Sequence, residues 1–139
     1  MEWELKSDRP IYTQLLEELK RRIVSGFYKP GERLMSVREL AQDAKVNPNT
    51  MQRALTELER QSLVFAVRTT GRYITEDASL IEEAKKEFAT YHVAAFSREM
   101  HALGYDKEGM QKLLSEYEEA SMEDTDKEIS GENKEEENK

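Results

Sequence analysis

Ile11, Leu15, Leu16, Leu19 and Ile23 recur at helical spacing, so residues 10–25 read as an amphipathic helix. Pro10 suits its start and Gly26 its C-terminal cap. Lys29-Pro30-Gly31 is a turn, and Ser36-Val37-Arg38-Glu39 is a capping box opening a short helix over 37–44 that buries Val37, Leu40 and Ala41. After a corner at Lys45-Val46, Asn47 is an N-cap and Pro48 a first helical residue. Met51, Ala54, Leu55 and Leu58 supply the apolar face of this third helix, which the pattern carries to about Gln61. Leu63–Arg68 and Arg72–Thr75 are rich in β-branched and aromatic residues around Thr69-Thr70-Gly71, the signature of a hairpin. Beyond Asp77 a second helical stripe runs through Ile81, Ala84, Phe88, Tyr91 and Ala95, widened by Phe96, Met100 and Leu103 and ended by Gly104. Asp106 then caps a shorter helix with Met110, Leu113, Leu114 and Tyr117 on its apolar face.

Three helices followed by a hairpin is the order of a winged helix-turn-helix, and Ser36 to Leu55 has the length of the helix-turn-helix unit. The expected fold is therefore mainly α with a small β-wing. A winged helix-turn-helix over 9–77 is followed by a two-helix dimerisation region over 78–120 and a disordered acidic tail over 121–139. The tail has almost nothing apolar to bury.

Charge sharpens this picture. The 139-residue chain has a formal net charge of −8, yet residues 20–72 hold eleven Lys/Arg against five Asp/Glu, and residues 78–139 hold eight against seventeen. Local charge decides whether a phosphate backbone is attracted, and the basic block coincides with the winged helix. There is no cysteine, which excludes disulfides and thiolate metal sites. The segment Met1–Arg9 lacks the apolar run of a signal peptide, and no stretch approaches membrane-spanning length. The expectation is a soluble cytoplasmic protein with no membrane partner.

The third helix separates an apolar face from Asn49, Thr50, Gln52, Arg53 and Thr56, residue types that hydrogen-bond base edges and phosphates. Its N-terminal end, with Asn47, Asn49 and Thr50, is the part that enters a major groove in such units. The hairpin tip adds Arg68, Thr69, Thr70, Gly71 and Arg72, suited to the DNA backbone or the minor groove. Ser36 and Arg38, at the start of the second helix, are placed for a phosphate or a guanine. Double-stranded DNA is the partner these residues favour. A winged helix used as a protein–protein module, with the acidic half as its partner surface, fits the same elements.

The runs Pro10-Ile11-Tyr12-Thr13-Gln14, Gly26…Lys29-Pro30-Gly31-Glu32-Arg33-Leu34, Ser36-Val37-Arg38-Glu39-Leu40-Ala41 and Val46-Asn47-Pro48-Asn49-Thr50-Met51-Gln52-Arg53-Ala54-Leu55…Leu58-Glu59 resemble the GntR family of bacterial repressors, over roughly residues 9–77. The resemblance implies a winged helix, homodimers and repression from a palindromic operator. It puts the family's second-helix arginine on Arg38, its recognition positions on Asn47, Pro48, Asn49, Thr50, Gln52 and Arg53, and its wing glycine on Gly71. Three positions depart from the pattern. Pro48 stands where many members carry a base-contacting arginine, Thr69 where a wing glycine is usual, and Met35 where a proline is common.

Only 62 residues follow Asp77, too few for the large metabolite-binding domain of most members. The short two-helix arrangement is similar to the YtrA subfamily, which implies a dimer and control of neighbouring ABC-transporter genes. The stripe Ile81, Ala84, Phe88, Tyr91, Ala95, with Met110, Leu113 and Leu114, is the expected homodimer surface; packing on the chain's own winged helix is the other use for it. An effector held near Tyr91, Phe96 and Tyr105 is a third reading, of unknown ligand. Neither catalysis nor a cofactor is expected. His92 and His101 lie on roughly opposite sides of one helix and cannot pair on a metal, and no phosphate-binding glycine loop is present.

Overall fold

The computed structural model describes residues 1–137, with side chains described as far as Met122. Its elements are α1 (Ile11–Val24), α2 (Val37–Ala44), α3 (Pro48–Arg60), β1 (Val64–Val67), β2 (Gly71–Ile74), α4 (Ala78–Ala102) and α5 (Lys107–Glu137). They group into two compact units, Met1–Ala89 and Thr90–Lys139.

In the first unit α3 is the element on which the others converge. Both α1 and α2 pack on it, and it also meets β1. The interior is built from Leu15, Leu19 and Ile23 of α1, Leu40, Ala41 and Ala44 of α2, Met51, Ala54, Leu55 and Leu58 of α3, and Leu63, Val64 and Ile74 at the wing. These are the positions the helical periodicity selected, because i, i+3 and i+4 share a face. Truncating one of the fully buried leucines to alanine should cost about 2–5 kcal/mol.

The helix ends follow from local chemistry. Pro10 sits just outside α1 as its N-cap, with extended ψ of 133°, and Gly26 takes the left-handed φ of +84° after the last turn. Ser36 Oγ accepts from the Glu39 amide at 3.1 Å, which is half of the expected capping box. Asp77 Oδ1 accepts from the amides of Ser79 and Leu80 at 3.1 and 3.2 Å and from the Ser79 hydroxyl at 2.7 Å. The Ser79 hydroxyl foremost, then the Leu80 amide, hold the Asp77 carboxyl below its ordinary value.

The hairpin turn lies one residue earlier than the expected Thr69-Thr70-Gly71. Val64 pairs with Ile74, Phe65 with Tyr73, Ala66 with Arg72 and Val67 with Gly71, so Gly71 belongs to β2 and the turn is Arg68-Thr69-Thr70. A bond from the Thr70 amide to the Val67 carbonyl, 3.1 Å, closes that turn, and Thr69 has φ +71°. The wing also gains an edge that the pattern did not show. Arg33 bridges Tyr73, the Leu34 amide donates to the Arg72 carbonyl, and the Ile74 amide donates to the Glu32 carbonyl, both at 2.9 Å. Three residues are too short a run to display alternation.

The first unit is wider than the 9–77 that the sequence suggested. Residues 1–6 form a strap across α1 and α2. The Gln14 side chain, only 4% exposed, accepts from the Lys6 amide at 2.7 Å and donates to the carbonyls of Lys6 and Arg9 at 2.7 and 2.9 Å. Trp3 Nε1 donates to Asp43 Oδ2 at 2.8 Å, and its ring lies 3.9 Å from the Arg22 guanidinium carbon. Arg22, 3% exposed, also donates to the Met1 carbonyl and the Tyr28 hydroxyl and pairs with Glu18. A buried charge is tolerable only with such partners.

At the other end Leu80, Ile81 and Ala84 pack on the winged-helix core, and the Phe88 ring lies 5.4 Å from the Arg21 guanidinium carbon. Ile81, Ala84 and Phe88, on the stripe expected at the dimer surface, are thus half-buried against their own chain. Helical spacing marks a face as apolar without saying what covers it. In the second unit Gly104 ends α4 as expected, and Asp106 Oδ1 accepts from the Gly109 amide at 2.8 Å to cap α5. Met110 is 9% exposed. The helix that the pattern ended near 120 is helical over Lys107–Glu137; Glu and Lys favour helix without any core to bury. The expected disordered tail, 121–139, falls almost wholly outside the described side chains.

Candidate nucleic-acid interface

The corner between α2 and α3 fixes the presentation of the recognition helix. Lys45 takes the left-handed conformation, φ 58° and ψ 48°, while the Val46 amide reaches back to the Ala41 carbonyl at 2.9 Å. That is a Schellman-type ending, and it reverses the chain in two residues. Asn47 Oδ1 then accepts from the Asn49 amide at 2.8 Å, and Pro48 opens α3 where no amide hydrogen is needed.

Four buried residues, Met51, Ala54, Leu55 and Leu58, lock α3 in rotation. Asn49, Gln52, Arg53 and Thr56 consequently emerge on the opposite side and are exposed. Thr50 is half-buried on the flank, where it lines a groove with Trp3, Leu5 and Asn47. Arg53 is held by an aromatic platform: its guanidinium carbon is 4.4 Å from the Tyr12 ring centroid. Stacking occupies the faces of the guanidinium and leaves its in-plane N–H donors free. Gln52 Nε2 donates to Thr56 Oγ1 at 3.4 Å, a long and exposed bond that a base edge can displace.

Beside α3, the start of α2 and the wing enclose an open cleft of about 700 Å³, lined among others by Arg33, Ser36, Arg38, Gly71 and Arg72. Ser36 spends its oxygen lone pair on the cap yet keeps a hydroxyl proton to donate. Arg38 is exposed. At the wing, Arg68 and Thr69 are exposed, and Thr70 Oγ1 donates to the Val67 carbonyl at 3.3 Å. Arg72 Nε pairs with Glu59 Oε1 on α3. Asn47 is the N-cap that the sequence pattern expects, so its carbonyl oxygen is committed to the Asn49 amide.

The expected residues thus lie on α2, α3 and the wing, with Ser36, Arg38, Gly71 and Arg72 around one cleft and Asn47 and Thr50 at another groove. Two more join them that sequence reasoning did not single out. Tyr12 positions Arg53, and its signal was an aromatic residue in the first turn of a helix destined to cross α3. Arg33 sits beside Gly71: a Cβ added there would lie 3.2 Å from Arg33 Nε. Its side chain was not predictable without the short edge that carries it. No group of acids or histidines able to hold a metal occurs among the described residues. No helix there is long and apolar enough to cross a membrane.

A recognition helix with a polar, amide- and guanidinium-bearing face, flanked by a cationic cleft and a hairpin, defines the winged-helix class of DNA-binding transcription regulators. Comparison with known proteins agrees. Residues 11–74 match the bacterial regulatory proteins of the gntR family. The chain is 38% identical over 110 residues to the HTH-type transcriptional regulator YhcF of Bacillus subtilis, an alignment covering 79% of this chain and 91% of that one. It is 34% identical over 112 residues to the HTH-type transcriptional repressor YtrA of the same organism, with 80% and 86% covered. Among solved structures, a GntR family transcriptional regulator from Listeria monocytogenes superposes with a TM-score of 0.77 at 39% identity, covering 81% of this chain and 98% of that one. The chain belongs to the GntR family, and it is a DNA-binding transcription regulator. Its relatives are regulators and not enzymes.

Proposed function

We propose that the protein is a cytoplasmic repressor that binds a palindromic operator as a homodimer, joined through the second unit. The observation that carries the dimer is the apolar surface left open there. Phe96, Leu103, Leu113, Leu114 and Tyr117 are 44, 74, 37, 50 and 69% exposed. Together with Tyr91 and Ala95 they belong to the apolar faces that the helical pattern marks in this unit. Such a surface is costly in water, and a second copy covers it isologously. Two copies also place two recognition helices on two half-sites, which one helix cannot do alone. The likeness to the repressor YtrA supports repression, and likeness to its subfamily supports a neighbouring ABC transporter as the regulated operon.

Sedimentation velocity with a Leu113→Glu, Leu114→Glu variant tests the dimer. The wild type should sediment as a dimer. The variant, keeping the winged-helix core untouched, should sediment as a monomer and lose tight binding to its own promoter while keeping weak affinity for random DNA. A variant that stays dimeric and binds the promoter normally refutes this placement of the interface.

A further inference from the structure

Charge counting treats Arg33 and Arg72 alike, but their surroundings do not. The Arg72 side chain is 21% exposed and its Glu59 partner 30%, and the pair joins β2 to the last turns of α3. Glu59 takes only the Arg72 Nε–H, but it offsets the guanidinium's charge, so a phosphate reached by the remaining N–H donors meets a cation already compensated by an acid. Arg33 is exposed, and among the described residues no carboxylate pairs with it; the ion pairs there use Arg9, Arg21, Arg22, Arg60 and Arg72. Its backbone is fixed by the ladder along β2, and its guanidinium lies over the bare backbone of Gly71. It shares a cleft with Ser36 and Arg38.

We propose that Arg33 is a second wing-side arginine, beside Arg68 of the tip, that meets the phosphodiester backbone of duplex DNA, and that Arg72 is a positioning residue whose pair with Glu59 holds the wing at a fixed height against the recognition helix. Arg33 and Arg38 then present a guanidinium from each wall of the cleft. Glu39 also lines the cleft, but it forms an ion pair with neither arginine, and a phosphate between them is met by a guanidinium on either side. This rests on the DNA-binding function already assigned to the unit and names the residues that serve it.

The test is fluorescence anisotropy of a labelled mixed-sequence duplex, titrated with the full chain at several salt concentrations. The slope of log affinity against log salt counts the phosphates neutralised. Arg33→Ala should lower that slope by about one and weaken binding at low salt by roughly tenfold, and Arg33→Lys should restore the slope. Arg72→Ala should weaken binding with the slope unchanged, and the exchanged pair Glu59→Arg with Arg72→Glu should recover what Arg72→Ala loses. A wild-type slope near zero would remove the electrostatic footprint itself. A steep wild-type slope that Arg33→Ala leaves untouched overturns only the assignment of Arg33. An exchanged pair that binds no better than Arg72→Ala overturns the positioning role of Arg72.

Discussion

Thr69 is the residue whose backbone and side chain disagree most. It occupies the third position of the turn Val67–Thr70 with φ +71°, and the Thr70 amide closes that turn on the Val67 carbonyl at 3.1 Å. A positive φ at that position marks a type II turn, which selects glycine or asparagine. An L-residue in the left-handed region is strained by roughly 1–2 kcal/mol, and β-branching puts threonine at the worse end. Thr69→Gly removes this strain but loosens the unfolded chain by about 0.5–1 kcal/mol. The net gain should be about 0.5–1 kcal/mol, which for a unit of this size raises Tm by roughly 2–8 °C. Urea unfolding followed by circular dichroism reads the change as a higher midpoint at constant m. Thr69→Asn should give a smaller gain, because asparagine tolerates the left-handed region less well than glycine. Thr69→Ala should give almost none, since alanine keeps the Cβ. A Thr69→Gly protein with an unchanged or lower midpoint would refute the reasoning, because it would mean the turn adopts another conformation in solution.

Three further outcomes follow from the same geometry. Arg38→Ala should weaken binding to promoter and random duplex alike, whereas Gln52→Ala should weaken the promoter alone by roughly 1–3 kcal/mol, both read in parallel anisotropy titrations. Trp3→Ala strips the ring from the buried Arg22 and should destabilise the first unit by about 2 kcal/mol. Trp3 is also the single tryptophan of the chain, so its fluorescence should unfold at the same urea midpoint as the circular dichroism. An earlier fluorescence transition would show that the strap detaches first. The Asp77 carboxyl is held below its ordinary value, so its stabilising effect is complete above the unfolded pKa and is lost as pH falls through the folded one. Wild type and Asp77→Ala should therefore differ in Tm at neutral pH and converge in acid; a difference that persists at low pH would refute this.

The parts of the fold that the sequence made legible are those in which one residue's chemistry settles one position. Periodicity marked the faces of α1, α2 and α3 because burial on one side is what stabilises them. Ser36, Asn47, Asp106 and Gly26 announced helix ends because each satisfies or permits a specific backbone arrangement. The hairpin turn lies one residue earlier than its glycine suggests. With Thr69 already in the left-handed region, Gly71 pairs with Val67 instead. The strap stayed hidden because its contacts, Trp3 on Arg22 and Gln14 on Lys6, join residues through tertiary geometry and not through period. The first turns of α4 are ambiguous for a related reason: Ile81 and Ala84 look the same on a helical wheel whether they face a partner or their own core.

Charge behaves like apolarity in this respect. The basic block of the winged helix marks the module that binds an anion, but it does not say which cations are available to do so. Arg21, Arg22, Arg60 and Arg72 each lean on a carboxylate, and the Arg60 partner, Glu57, is held at about 2 by Arg60 foremost and then by Gln61. Glu57 is therefore ionised throughout the physiological range, and the exposed i,i+3 pair it makes with Arg60 is screened by solvent. Arg53 is occupied differently, by the neutral ring of Tyr12, which orients the guanidinium without spending its charge. The result is a sorting that composition cannot express. Arginines paired to acids stiffen the scaffold, Arg53 is aimed by a ring without an acid partner, and Arg33, Arg38 and Arg68 are exposed and in none of these ion pairs. Salt dependence should accordingly report fewer phosphate contacts than the number of basic residues in the block, because an arginine already neutralised by a carboxylate releases no counter-ion from DNA when the two surfaces meet.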